Sequence, residues 1–240
     1  MLRPKNNKTK PRIKHRPFLK WAGGKFRLTD DLNRVFPKRK QCLIEPFVGA
    51  GAVFLNSHFE RYILADINPD LINLFNIVKE NVDAYIEACK PIFFAENANT
   101  ADYYYAQRDA FNQSSDPFER SVLFLYLNRF GFNGLCRYNS KNEFNVPFGA
   151  YKTHYFPEDE LRYFAHKAQS AVFLCADFQQ TFELADKHSV IYCDPPYAPL
   201  PQDTNFTGYA GNAFGLEHQK NLAECAKKAQ KEKQISVVIS

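Results

Sequence analysis

The 240 residues suit one domain, or a domain with a large insertion, and 45% hydrophobic content with 23 Phe and 13 Tyr is enough to fill a core. No apolar run approaches the ~20 residues of a membrane span, and the N-terminus lacks the apolar stretch of a signal peptide, so a cytoplasmic protein is expected. The formal charge of +5 is uneven: residues 1–20 hold eight Lys/Arg and no acid, leaving 23 Lys/Arg against 26 Asp/Glu in the rest.

A near-neutral body with a basic arm (1–17) results. Such an arm either binds phosphate backbones or stays a solvated tail. The six cysteines lie far apart, with no C-x-x-C pair and no Cys/His cluster at metal spacing. Reduced thiols and no metal are expected.

After the arm comes Phe18-Leu19-Lys20-Trp21-Ala22-Gly23-Gly24-Lys25, which carries the only Trp. Its glycines allow close backbone approach, and an indole can stack on a purine. The P-loop pattern is not met and no strand precedes it, so ATP binding is excluded; a plain surface loop is the alternative. Residues 42–47 read as a strand, followed by a glycine turn (Gly49, Gly51) and a helix. The third glycine of the dinucleotide fingerprint is absent, since position 54 is Phe. A second strand, Tyr62–Ala65, ends at Asp66, 15 residues after Gly51, where a carboxylate can grip ribose hydroxyls.

Asn68-Pro69 starts a helix as N-cap and first helical residue. Its apolar stripe is expected to run Leu71, Ile72, Phe75, Val78, Val82, Ile86. Residues 69–130 look helical throughout, with Asp116–Glu119 resembling a capping box. Strands resume only near Ala171–Leu174, so 69–157 reads as an inserted, mainly helical subdomain between catalytic segments 18–68 and 158–240.

The insert ends in an unusual block. From 121 to 155 there are nine Phe/Tyr, five Asn and four Lys/Arg against one acid, Glu143. Arg can grip guanine, Asn adenine, and aromatics can stack on or wedge between bases. The other reading is a hairpin packed on the helices, which explains several Phe but not Arg137 or Asn133.

Val190–Cys193 reads as a buried strand that runs into Asp194-Pro195-Pro196-Tyr197. The prolines cannot continue a central strand, so the chain turns out at its carboxyl end, the ligand edge of open α/β sheets. Asp194 and the Pro195 carbonyl can accept both hydrogens of an exocyclic amine, and Tyr197 offers a stacking face. An ordinary strand end with a Pro-rich turn is the alternative. Ala198–Asn212 reads as a mobile loop, 215–231 as a helix and 235–240 as another strand. The chain stops there although a doubly wound sheet normally continues, so a truncated C-terminus is expected.

Together, Phe18–Lys25, Glu45–Gly51, Asp66-Ile67-Asn68, Tyr126–Gly149 and Asp194–Tyr197 resemble, in order, the motifs of the DNA adenine N6-methyltransferases of the Dam family. The resemblance runs from about Phe18 to Ser240. It implies an α/β, Rossmann-like methyltransferase sheet with an inserted target-recognition subdomain, S-adenosyl-L-methionine as methyl donor, GATC in double-stranded DNA as target and a monomer. It further implies that Trp21, Lys25, Phe47, Gly49, Gly51 and Asp66 hold the donor, which Asp194 borders. Asp194, Pro195 and Tyr197 would act on the flipped adenine. Lys20, Asn133, Leu135, Arg137 and Asn139 would face DNA, with Asn145, Pro147, Tyr151 and Lys152 supporting recognition or gripping phosphate. Rival readings are a methyltransferase acting on RNA or a protein amide, a nicotinamide-dependent oxidoreductase, and a non-catalytic DNA-binding remnant.

Overall fold

A computed structural model of the chain describes residues 13–196 and 214–240. Its sheet has five strands among these residues, all parallel: β1 (Cys42–Glu45), β2 (Arg61–Asp66), β3 (Ala171–Cys175), β4 (Ser189–Cys193) and β5 (Ser236–Ile239), in spatial order β3-β2-β1-β4-β5. Every residue of β1 and β4 is buried, the pattern of parallel strands covered on both faces. The period-two alternation sorts their side chains between two cores. Leu43, Val190 and Tyr192 join the larger one, while Cys42, Ile44, Ile191 and Cys193 join the smaller.

Helices on both faces complete the layers. The smaller core is closed by α8 (Phe178–Glu183) and α9 (Leu216–Lys233) through Phe178, Phe182, Leu222 and Ala229. On the other face lie α1 (Thr29–Val35), α2 (Ala52–Asn56), α3 (Pro69–Glu80) and α7 (Glu158–Ala168). Phe75 of α3, Phe164 of α7 and Phe173 of β3 pack with ring centroids 4.8–5.5 Å apart. Phe18 meets the edges of Phe75 and Phe164 at 5.9 and 5.0 Å. Such edge-to-face pairs contribute about 0.5–1.5 kcal/mol beyond their buried area. Phe18 thereby fixes the chain two residues before Lys20.

Between α3 and α7 come α4 (Val82–Phe93), α5 (Ala101–Gln113) and α6 (Pro117–Phe130). The single stripe expected from Leu71 to Ile86 is broken. Asn81 leaves the helix at φ −151°, ψ 83°, and its side chain accepts the Ala84 N–H, so it ends α3 and caps α4. Val82 and Ile86 therefore belong to a second helix. Asp116 caps α6 as expected, accepting the Glu119 N–H at 2.7 Å. The reciprocal half of the capping box is absent, because the Glu119 carboxylate accepts from Ser114 instead. Of the residues from Ser121 to Phe130, only Arg129 is not buried. That suits α6's place at the centre of this layer, against α3, α4 and α5. The first strand is shorter than expected, since Pro46 lies outside it.

Candidate active site and nucleic-acid interface

The strand order reverses between β1 and β4: from β1 the chain moves one way to β2 and β3, then crosses to β4 and β5. A crevice outside the carboxyl ends is expected at such a switch point. Glu45, Asp66 and Asp194 all lie at those ends. After β1, the Gly51 N–H bonds back to the Val48 carbonyl at 2.9 Å, and Gly49 and Gly51 take φ +48° and +75°. A Cβ on Gly49 would stand 2.9 Å from Trp21 Nε1, so the missing side chain lets the indole lie directly on the loop.

Asp66 holds that loop. Its Oδ2 accepts the Gly49 N–H at 3.2 Å and its Oδ1 the Asn68 N–H at 3.0 Å. Burial pushes its carboxyl up, opposed by these backbone donors. Phe47 stacks on Phe178 at 5.7 Å and meets the edge of Phe214 at 5.6 Å. Phe178 was not singled out in the sequence. Its signal was its place just after β3, at the same edge as the other site residues.

Asp194 sits beyond β4 and is ion-paired with Lys25, Nζ to Oδ1 at 2.6 Å. Ser240 Oγ bonds the same oxygen at 3.1 Å. Asp194 Oδ1 thus accepts from both the Lys25 ammonium and the Ser240 hydroxyl. Pro195 follows at once, outside the strand. Tyr197 lies outside the described residues. Beneath this edge is Glu45, fully buried with Oε1 lacking a hydrogen-bond partner. Burial first, and the charge of Asp194 second, raise its carboxyl to about 8.

Lys20 and Trp21 are consecutive, so this crevice adjoins a second cluster. The Lys20 backbone exchanges two 2.8 Å hydrogen bonds with the buried Asn128 side chain on α6. Its Nζ reaches the Arg129 carbonyl at 2.7 Å and stands 3.8 Å from the Tyr151 ring. Burial, with Arg129 second, lowers this ammonium to about 8. Asn133 and Gly134 take left-handed φ of 53° and 60°. A Cβ on Gly134 would overlap Lys20 Cβ at 2.2 Å, so Lys20 packs against the bare glycine.

From Gly131 to Gly149 the chain makes an irregular antiparallel excursion, with bridges Gly131↔Phe148 and Tyr138↔Phe144. Phe144 is core, as the hairpin reading required. Arg137 bonds Asn145 twice, Nε to Oδ1 at 2.6 Å and an Nη to the carbonyl at 2.8 Å. The structure thus brings Lys20, Asn133, Leu135 and Tyr151 into one neighbourhood and joins Arg137 to Asn145. Asn139 instead shapes the tip, accepting from the Lys141 and Glu143 N–H groups and donating to the Glu143 carboxylate. Lys152 and Pro147 are exposed.

Three residues stand beside this cluster that the sequence reading passed over. Phe132 is an exposed aromatic next to Asn133. Arg108 and Arg129 each have a buried Nε without a hydrogen-bond partner. Arg129 stood inside the aromatic block, but nothing in the pattern around Arg108 marked it out. Among the described residues, no group of three or more His, Cys, Asp or Glu could hold a metal ion. No described helix is long and apolar enough to cross a membrane.

Residues 21–240 match a family model described as D12 class N6 adenine-specific DNA methyltransferase. The chain is 81% identical over 240 residues to a DNA adenine methylase of Haemophilus influenzae, a match covering all of this chain and 84% of that one. It is 59% identical over 227 residues to DNA adenine methylases of Vibrio cholerae and Escherichia coli, matches covering 95% of this chain and 81% of each.

Proposed function

The chain belongs to the D12 class N6 adenine-specific DNA methyltransferases, and from that premise we propose that it methylates the adenine of GATC after turning the base out of the duplex. What carries this reading is one arrangement: Asp194, the Gly49–Gly51 loop and Asp66 converge at the strand-order switch point, and Trp21, which lies on that loop, is one residue along the chain from Lys20.

The residues present fit S-adenosyl-L-methionine. Asp66 offers a carboxylate to the ribose hydroxyls. Phe47 and Phe178 offer an aromatic wall to an adenine ring, and Trp21 covers the bare Gly49. Lys25 suits the donor's carboxylate. The orphaned Glu45 Oε1 is a buried acceptor that a cationic ligand would satisfy electrostatically. When bound, this group supplies an electrophilic methyl on a sulfonium.

The protein's own part is recognition and positioning. Arg137, held by Asn145, and Leu135 meet base edges in the groove, while Lys20 and Lys152 meet phosphates. Phe132 and Asn133, exposed on the left-handed turn, stand where a wedge and an amide can fill the gap left by a rotated base. Tyr151 and Pro147 brace that loop. Asn139 contributes through the shape of the tip. Asp194 and the Pro195 carbonyl accept the hydrogens of the target amine, with Tyr197 stacked on its ring. This favours positive charge developing on N6 and needs no covalent enzyme intermediate. Segment 69–157 is the recognition insert in this reading, with α3 as the wall it shares with the sheet, and the enzyme works as a monomer.

Asp194→Ala tests the assignment. Methyl transfer should fall by at least about a thousandfold, the scale of removing a group that acts in the transition state, while donor binding by calorimetry persists. Undiminished transfer in this variant would remove Asp194 from the chemistry.

A further inference from the structure

The first turn of α3 touches both halves of the site. Asp66 Oδ1 accepts the Asn68 N–H at 3.0 Å. Asn68 caps the helix with its Oδ1, accepting from Asp70 and Leu71, and its Nδ2 donates to Cys136 Sγ at 3.2 Å. Two residues on, Asp70 Oδ2 accepts the Tyr138 hydroxyl at 2.6 Å. Asp70 is also gripped from α6 by Arg120, Nε at 2.9 Å and an Nη at 3.0 Å. Arg120 in turn bonds the carbonyls of Phe111 and Ser114 at the α5–α6 turn.

Cys136 and Tyr138 are therefore fastened on one side. Arg137, which lies between them, instead bonds the side chain and carbonyl of Asn145. Leu135 is extended, with φ −65° and ψ 148°. Burial pushes the Cys136 thiol up to about 12 and raises the Tyr138 hydroxyl as well, so both stay neutral in this joint. A continuous run of hydrogen bonds leads from the donor-side carboxylate to the two residues that frame Arg137.

We propose that Cys136 and Tyr138 are positioning residues that clamp the base-reading segment to the first turn of α3, and so link occupancy of the donor pocket to discrimination between DNA sequences. This rests on the function proposed above. A ligand shifts such a joint only by binding its ordered form better. A ligand gripping Asp66 does so, because the same carboxylate holds the Asn68 backbone in its capping position.

The test uses the full chain with S-adenosylhomocysteine as an unreactive donor analogue. DNA affinity is measured with and without it, for a GATC duplex and for a duplex altered at one base. In the unsubstituted protein the analogue should tighten GATC binding more than binding to the altered duplex. Tyr138→Phe leaves Asp70 paired with Arg120, and Cys136→Ala cuts the neighbouring bond. Each should reduce the analogue-linked preference by about tenfold, within the usual range of coupling between sites, with the analogue's own affinity retained. A purely structural role predicts an equal loss on both duplexes, and that result, or an unchanged preference, overturns the proposal.

A measurement on the unsubstituted protein stands apart from the folding of either variant. Amide hydrogen exchange at residues 135–138 should slow when the analogue alone binds, and unchanged exchange also overturns the coupling. If GATC is methylated but the analogue confers no preference, only the coupling fails. If neither duplex gains N6-methyladenine, the proposed function fails.

Discussion

Gly49 stands at φ +48° with Trp21 Nε1 2.9 Å from the place a Cβ would take. Gly49→Ala should cost about 1–2 kcal/mol of stability from the left-handed backbone alone. It should also displace the indole, so donor affinity measured by calorimetry falls together with Tm; donor binding at full strength would show that the indole is not part of the pocket. Glu45 gives a second residue-level prediction. Burial, then Asp194, raises its carboxyl from the ordinary 4.5 to about 8. Between those values the folded protein binds a proton that the unfolded chain has released, so this contribution to stability is complete below pH 4.5 and is lost as pH rises through about 8. Lys167 acts in the opposite direction at higher pH, since burial lowers its ammonium from 10.5 to about 8. Tm followed across pH 4.5–8 should fall more steeply for the unsubstituted protein than for Glu45→Gln, and parallel curves would contradict it. Asp194, Asp66 and the glycines were legible in the sequence because each sits at a strand end, where residue type and position coincide. Asn128 and Arg108 were not. An Asn inside an apolar helix and an Arg inside a polar one gain meaning only when residues some 108 and 38 positions away come to meet them.

At the scale of elements, Asn81 shows what a periodicity misses. The apolar residues on either side of it keep helical spacing, yet its backbone leaves the helix and its side chain caps α4. Asn81→Ala should cost about 1 kcal/mol, the usual worth of an N-cap, with methyl transfer per folded molecule unchanged. Denaturant unfolding beside an activity assay checks both halves, and unchanged stability would mean the cap contributes nothing there. The parallel strands were readable because burial on both faces leaves continuous apolar runs, as in Leu43-Ile44 and Val190-Ile191-Tyr192. The 131–149 excursion was readable as composition but not as shape. Its backbone bonds run to distant partners of its own loop, such as Phe132 to Pro147 and Asn145 to Arg137. Left-handed Asn133 and the bare Gly134 pressed on Lys20 depend on that closure.

For the molecule as a whole, function follows from where the strand order reverses. β1 and β4 are neighbours in the sheet but far apart in sequence, and their pairing sets the glycine loop beside Asp194. The aromatic anchor at Phe18 then threads Lys20 and Trp21 between the crevice and the 131–149 excursion, so one short segment borders both. Family membership establishes the class of reaction; the sequence read in the DNA and the turned-out base are what the geometry is proposed to add. The most direct test is methyl transfer from labelled S-adenosyl-L-methionine to two duplexes, one containing GATC and one with the site scrambled, followed by mass spectrometry of the modified base. N6-methyladenine should form in the GATC duplex and not in the other. Equal labelling of both duplexes, or label on any other atom, would contradict the proposed function.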